Sequence, residues 1–245
     1  MIGAVLAAAT LWVPAPGATI QVQLAGKVDT SVAAEVFYVD AYDTPKATVD
    51  ELHANGAHVV CYMSAGSWEE FRTDAGKYPK RVLGRKLAGY PDERWVDVRR
   101  RKILLKIIGR RLDRCVNKGF DGADFDNVDG YTNKTGFPLK ARDQLRFNRA
   151  LAAAAHARGL SASLKNDVDQ TEQLAGDFDF ALNEQCLVYD ECERYQPFVD
   201  AGKAVFHIEY EGDWPADKSC EFPGFSSIRK RFTLRAYRAG CSSAR

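Results

Sequence analysis

Four times in this chain a helix-like stretch stops at a residue–glycine pair and hands over to an apolar, strand-like run: Asn55-Gly56, Lys118-Gly119, Arg158-Gly159 and Ala201-Gly202. Glycine at such a stop supplies the left-handed cap and releases the chain into the next element. A strand after each capped helix is the rhythm of a parallel α/β protein. Strand-like runs are read at Val36–Ala41, Ala57–Ser64, Arg94–Val98, Gly122–Asp126, Leu160–Asn166, Phe178–Glu184, Ala204–Tyr210 and Phe232–Tyr237. Helical stretches fall between most of them, at Pro45–Asn55, Trp68–Ala75, Arg101–Lys118, Ala141–Arg158 and Arg194–Ala201. Eight strands in 245 residues fit a single-domain α/β protein of the (β/α)8 TIM-barrel type. The alternative, an open doubly wound sheet, loses its dinucleotide-binding version because no Gly-x-Gly-x-x-Gly follows an early strand.

With 46% apolar residues the chain can bury a full core, and a net charge of +1 argues against a nucleic-acid partner. The basic clusters Arg99–Lys102 and Arg110-Arg111 read as the solvated face of a helix. The apolar face of that helix is Ile103, Leu104, Ile107, Ile108, Leu112 and Val116. Residues 1–18 resemble the apolar core and small-residue end of a signal peptide, with cleavage expected near Ala18, although the positive residues that usually precede such a run are missing. Residues 19–245 then form the globular domain. No other run is long enough to cross a bilayer, so no membrane partner is expected. Six cysteines fit a secreted, extracellular protein. The most economical pairing is Cys186 with Cys192, Cys220 with Cys241, and Cys61 with Cys115, the alternative for Cys61 being a buried free thiol.

In a barrel of this kind function sits at the C-terminal strand ends. Here those ends carry Asp40; Tyr62 and Ser64; Asp97; Asp124, Asp126, Asn127 and Asp129, with Tyr131 just beyond; Lys165 and Asn166; Asn183, Glu184 and Gln185; and Glu209 and Tyr210. Asp124 and Asp126 are two apart and point to the same side of their strand, which raises the pKa of one member. Asp126 lies nearer the strand end. Glu184, two strands further round, is its natural opposite number. Two carboxylates delivered by two strands are the minimum equipment for cleaving a glycosidic bond, and their separation decides between retention and inversion. Each acid on its own could equally be a helix cap or loop acceptor. A calcium loop is disfavoured because Val128 stands where an oxygen ligand is needed. The four histidines are scattered, against a catalytic zinc, and no nucleophile elbow is present. No metal and no cofactor are therefore expected. Tyr42, Trp68, Tyr131, Tyr189, Tyr210 and Trp214 are candidates to stack on sugar faces. A mouth this acidic favours a cationic or amine-bearing substrate.

The runs Cys61–Ser67, Asp126–Tyr131, Leu164–Asp167, Asn183–Cys186 and Ala201–Phe206, in this order, resemble the glycoside hydrolase family 114 domain, the endo-α-1,4-polygalactosaminidases, from about Gln21 to Cys241. The resemblance implies a TIM-barrel hydrolase that cuts α-1,4-linked galactosamine polymers internally, a cationic polysaccharide partner, and Asp126 and Glu184 as the catalytic carboxylates, with Asp126 as nucleophile and Glu184 as general acid/base. By their strand-end positions, substrate contacts are expected from Asp40, Tyr62, Ser64, Asp124, Asn127, Asp129, Tyr131, Lys165, Asn166, Gln185, Glu209 and Tyr210. The chain departs from the family pattern at Phe125, where proline is common, at Val22, where an aromatic is common, and at Phe120, where cysteine is common in place of Cys115. The last departure bears on the pairing of Cys61. Runner-up readings keep the fold but change the substrate to another α-galactoside or amino-sugar polymer, or make the barrel a non-catalytic polysaccharide binder.

Overall fold

The computed structural model describes residues 11–241. Residues 1–10 of the signal-like segment lie outside the described residues. The strands are β1 (Ile20–Gln23), β2 (Val36–Asp40), β3 (His58–Ser64), β4 (Ser67–Glu69), β5 (Leu83–Leu87), β6 (Tyr90–Val96), β7 (Gly122–Asp126), β8 (Ser161–Lys165), β9 (Phe180–Glu184), β10 (Val205–Tyr210), β11 (Phe225–Lys230) and β12 (Ala239–Gly240). The α-helices are α1 (Lys46–Ala54), α2 (Arg101–Lys118), α3 (Ala141–His156), α4 (Thr171–Leu174) and α5 (Gln196–Asp200). All four expected stop glycines have the left-handed backbone: Gly56, Gly119, Gly159 and Gly202 have φ of 86°, 87°, 75° and 66°.

The main sheet runs β1-β2-β3-β7-β8-β9-β10-β11-β12. Every pairing from β1 to β11 is parallel, and β12 alone is antiparallel. The sheet curls on itself. Tyr38 of β2 meets Phe206 of β10 edge-on at 5.9 Å and Phe180 of β9 at 6.4 Å, although several strands separate them in the ladder. These rings join Ile20, Val22, Val36, Val60, Leu182, Ile208 and Ile228 in a core enclosed by the curl. A second core fills the space between the sheet and the helices. There α2 buries Leu104, Ile107, Ile108, Leu112 and Cys115, each aliphatic side chain contributing about 1.5–3 kcal/mol. Val116, expected on that face, is exposed.

A closed (β/α)8 barrel was the expectation; the finding is a curled mixed α/β sheet with five α-helices among the described residues. Among the described residues no ladder joins β1 to the far edge. The seam is crossed instead by Lys230 Nζ donating to Gln21 Oε1 (3.0 Å) and by Gln21 Nε2 donating to the Ala236 carbonyl (2.8 Å). Two expected strands change place. Phe232–Tyr237 is irregular chain along this seam, and Arg94–Val98 corresponds to the end of β6, in a separate antiparallel sheet β4-β6-β5. The expected helix Trp68–Ala75 is β4 and turns.

The cysteines pair Cys61–Cys115, Cys186–Cys192 and Cys220–Cys241. The first ties β3 to α2, and the second closes the loop after β9. Trp12 stacks on His58 at 4.4 Å and meets Phe180 at 6.1 Å, so the described part of the signal-like segment packs against the domain. Among the described residues no helix is long and apolar enough to cross a membrane.

Candidate active site

Three neighbouring strands end in the same way. Asp126, Lys165 and Glu184 are the last residues of β7, β8 and β9, and the next residue in each case has a left-handed backbone. Asn127, Asn166 and Gln185 have φ of 60°, 51° and 68°, and Asp167 follows with 50°. Such conformations cost roughly 1–3 kcal/mol each in a non-glycine residue, which marks functional sites when they cluster. Asparagine tolerates them best. They end each strand sharply.

The three side chains meet. Lys165 Nζ donates to Glu184 Oε2 at 2.8 Å and lies 3.5 Å from Asp126 Oδ1. Asp126 also accepts from the Tyr62 hydroxyl (2.6 Å) and the Asn127 N–H (2.8 Å). Glu184 accepts from the Tyr210 hydroxyl (2.7 Å), and its backbone N–H donates to Asn166 Oδ1 (3.0 Å). Lys165 is buried while both carboxylates stay partly open to solvent. Burial works against ionising Asp126. The Lys165 charge, the Tyr62 hydroxyl and the Asn127 N–H outweigh it and hold the carboxyl below its usual range. Burial alone would push Lys165 toward neutrality, but the charges of Asp126 and Glu184 keep it above the usual lysine range.

Backbone around Asp126 is clamped as well. The N–H groups of Ala65 and Gly66 donate to its carbonyl at 3.0 and 3.1 Å. A Cβ at Gly66 would sit 1.6 Å from the Asn127 carbonyl oxygen, so only glycine fits.

Above these groups lies an open cleft of three adjoining lobes. A central lobe of about 520 Å³ holds both carboxylates with Tyr62, Lys165 and Tyr210. A hairpin lobe of about 710 Å³ reaches from Asp126 over Leu87 of β5 and over Tyr90 and Trp95 of β6. An acid lobe of about 480 Å³ extends from Glu184 past Asp129, Asp167, Asp169 and Glu191, with no lysine or arginine in its lining. Burial and the charge of Asp129 push Asp167 up to about 8. Asp129 and Glu191 are also raised, chiefly by burial.

Of the expected contact residues, Tyr62, Asn127, Asp129, Tyr131, Lys165, Asn166, Gln185 and Tyr210 line this cleft. Asp40 lines its edge, but both its oxygens are held by Arg72 at 3.0 and 2.6 Å. Ser64, Asp124 and Glu209 line none of the lobes and are buried. Ser64 bonds to Ser67 and Asn127, and Glu209 to His207 and the Leu187 N–H. Asp124 sits one layer beneath Asp126 with neither oxygen in a hydrogen bond of normal geometry, although nearby Ser163 and Lys165 favour its ionised form. Burial pushes it up to about 7. Among the stacking candidates, Tyr131, Tyr189 and Tyr210 line the cleft, while Tyr42, Trp68 and Trp214 do not. Arg111, expected on a solvated helix face, is buried; it bonds the Ser64 carbonyl and pairs with Glu69 and Asp74. The cleft residues missed in the sequence include Phe71, Arg72, Tyr90, Glu93, Trp95, Asp169, Glu191 and Phe232. The Ala88-Gly89 pair was the available turn signal for the hairpin that carries Tyr90, although neither flanking run alternates.

A model of glycoside-hydrolase family GH114 matches residues 3–244. The chain belongs to that family. It is a glycosidase. Its backbone is similar to that of Ega3 from Aspergillus fumigatus, solved in complex with galactosamine: 38% identity, 98% of this chain and 100% of that one covered, TM-score 0.88. The glycoside hydrolase domain of PelA from Pseudomonas aeruginosa shares 15% identity over 91% of this chain and 98% of its own, TM-score 0.65. A maltogenic α-amylase, AmyB, from Thermotoga neapolitana shares 12% over 86% and 64%, TM-score 0.52. These last two show the fold alone. A search of curated proteins returns no match.

Proposed function

We propose that this family member is an extracellular, endo-acting glycosidase that cuts α-1,4-linked galactosamine polymers between internal residues, with Asp126 as nucleophile and Glu184 as general acid/base. The observation that carries the assignment is the single buried ammonium of Lys165 touching both carboxylates at the floor of an open cleft. The two contacts, 3.5 and 2.8 Å, cap the distance between Asp126 Oδ1 and Glu184 Oε2 at their sum, 6.3 Å. That reach accommodates the retaining arrangement, with carboxyl groups about 5–5.5 Å apart.

Asp126, held ionised, attacks the anomeric carbon as Glu184 gives its proton to the glycosidic oxygen. The C–O bond breaks and a glycosyl ester forms on Asp126. Glu184, now a carboxylate, takes a proton from water; that water attacks the same carbon and frees Asp126. Tyr62 and Lys165 keep Asp126 charged and oriented, and Tyr210 orients Glu184.

Three features support the substrate. Among the described residues the acid lobe presents five carboxyls and no lysine or arginine, and an ammonium group there would offset the burial that holds Asp129, Asp167 and Glu191 back from ionising. The cleft is open past both carboxylates, as an internal cut requires. The similar Ega3 was solved with galactosamine. Three disulfides support an oxidising, extracellular location. The test is incubation with partly deacetylated α-1,4-polygalactosamine, products being read by mass spectrometry for wild type, Asp126→Asn and Glu184→Gln. A ladder of short oligomers from wild type, cut by about 10²-fold or more in both folded variants, is expected. Undiminished cleavage by both variants overturns the site, and no products from wild type overturns the substrate.

A further inference from the structure

Six large apolar side chains are exposed among the described residues: Val13, Phe71, Tyr90, Val116, Tyr189 and Phe232. Exposed apolar residues scattered singly carry no meaning. These are not scattered. All four aromatics line the cleft, and neither valine does. Phe71 and Phe232 face the central lobe. Tyr90 faces both the central and hairpin lobes, and Tyr189 both the hairpin and acid lobes.

Each residue is 57–62% exposed; Phe232 and Phe71 have side-chain contacts, and Tyr90 and Tyr189 stand on constrained backbone. Phe232 lies on Tyr210 at 4.2 Å with the planes 17° apart, and Tyr210 in turn holds Glu184. Phe71 lies 5.0 Å from the Arg72 guanidinium, itself pinned by Asp40 and Glu69. Tyr90 follows the left-handed Gly89 at the hairpin turn. The ring shares the central lobe with Glu184 and Asp126, whose charges add to burial in raising its phenol. Tyr189 sits in the loop closed by Cys186–Cys192, its N–H donating to the Gln185 carbonyl at 3.1 Å. Open ring faces held in fixed positions bind at low ordering cost. Sugar rings have apolar C–H faces, and an amino sugar adds a cation, which an aromatic face also attracts.

We propose that Phe71, Tyr90, Tyr189 and Phe232 are stacking platforms, each seating one ring of a single amino-sugar chain that passes through the three lobes and across Asp126 and Glu184. The chain is thereby gripped on both sides of the bond to be cut. This inference rests on the polymer-cleaving reading above.

The test compares wild type with Phe71→Ala, Tyr90→Ala, Tyr189→Ala and Phe232→Ala, and with Val116→Ala as a surface control. Substrates are partly deacetylated α-1,4-polygalactosamine and a short galactosamine oligomer, with product length read by mass spectrometry. Each aromatic deletion is expected to lower kcat/KM on polymer about tenfold, to cost less on the oligomer, and to shift the product lengths. Tyr90→Phe and Tyr189→Phe should restore the wild-type pattern, because the ring and not the hydroxyl is the platform. Wild-type cleavage with all four alanine variants within about twofold of it on polymer, and an unchanged ladder, overturns the platforms alone. A wild type that cleaves no polymer overturns the functional reading and the platforms with it.

Discussion

Asp124 offers a quantitative test of how the floor of the site is built. Its carboxyl is fully buried, lacks a hydrogen bond of normal geometry and is pushed from 3.8 to about 7, with burial the main cause and the charges of Asp126 and Glu184 adding to it. A carboxyl with a raised folded-state pKa binds a proton in the folded chain that the unfolded chain has already released. Below pH 3.8 both states hold the proton and the group costs nothing. Between there and about pH 7 stability falls as pH rises, and above that the full penalty applies. A shift of about three units at 1.36 kcal/mol each is about 4 kcal/mol. Asp124→Asn keeps the shape and removes the titration. Urea unfolding of both proteins between pH 4 and pH 8 should therefore show the variant gaining about 4 kcal/mol on wild type across the series, with little difference at the acid end. Two curves that stay parallel within about 1 kcal/mol refute the reasoning, because Asp124 would then ionise as easily folded as unfolded.

Other consequences follow from the same geometry. Lys165→Met removes the charge that keeps Asp126 below its usual range, so the acid limb of the kcat/KM pH profile should move to higher pH; an unmoved limb excludes Lys165 from that role. Gly66→Ala drives a methyl into the Asn127 carbonyl, so activity should fall by at least about 10²-fold together with a loss of thermal stability, and an active variant contradicts the close approach. Replacing Cys61 and Cys115 together by alanine opens a link spanning 54 residues, an expected loss of about 4 kcal/mol readable by urea unfolding. Because the acid lobe attracts cations through solvent, KM for the deacetylated polymer should rise between low and about 0.5 M salt while KM for a fully acetylated one barely changes.

The sequence showed the strands that deliver the reacting groups more clearly than those that close the sheet, and the reason is chemical. Strands β7 (Gly-Ala-Asp-Phe-Asp) and β9 (Phe-Ala-Leu-Asn-Glu) carry apolar residues and end in a carboxylate at a turn, so both their position and their cargo could be read. Strands β1 (Ile-Gln-Val-Gln) and β11 (Phe-Ser-Ser-Ile-Arg-Lys) look polar, because Gln21 and Lys230 spend their side chains on backbone carbonyls at the seam, and Gln23 and Arg229 on those of neighbouring loops. Those buried polar residues mimic a loop. The neighbouring run Phe232–Tyr237 mimicked a strand, yet it supplies carbonyls of Leu234, Arg235 and Ala236 to that seam. In the site, Asp126, Glu184, Tyr62 and Tyr210 were legible as strand-end residues. The ammonium shared by both carboxylates was not, since nothing in Leu164-Lys165-Asn166 says that a lysine in a strand will be buried between two acids. The hairpin was missed because neither Leu83–Leu87 nor Tyr90–Val96 alternates apolar with polar residues, and with it went Tyr90 and Trp95.

The most direct test of the account is proton NMR of the first products released from α-1,4-polygalactosamine, followed in parallel for wild type, Asp126→Asn and Glu184→Gln. The account predicts reducing ends that appear first as the α-anomer from wild type, mutarotating later, and no such signal from either variant on that timescale. Reducing ends that appear first as the β-anomer, or undiminished release from the variants, would contradict the assignment of Asp126 and Glu184 as a retaining pair.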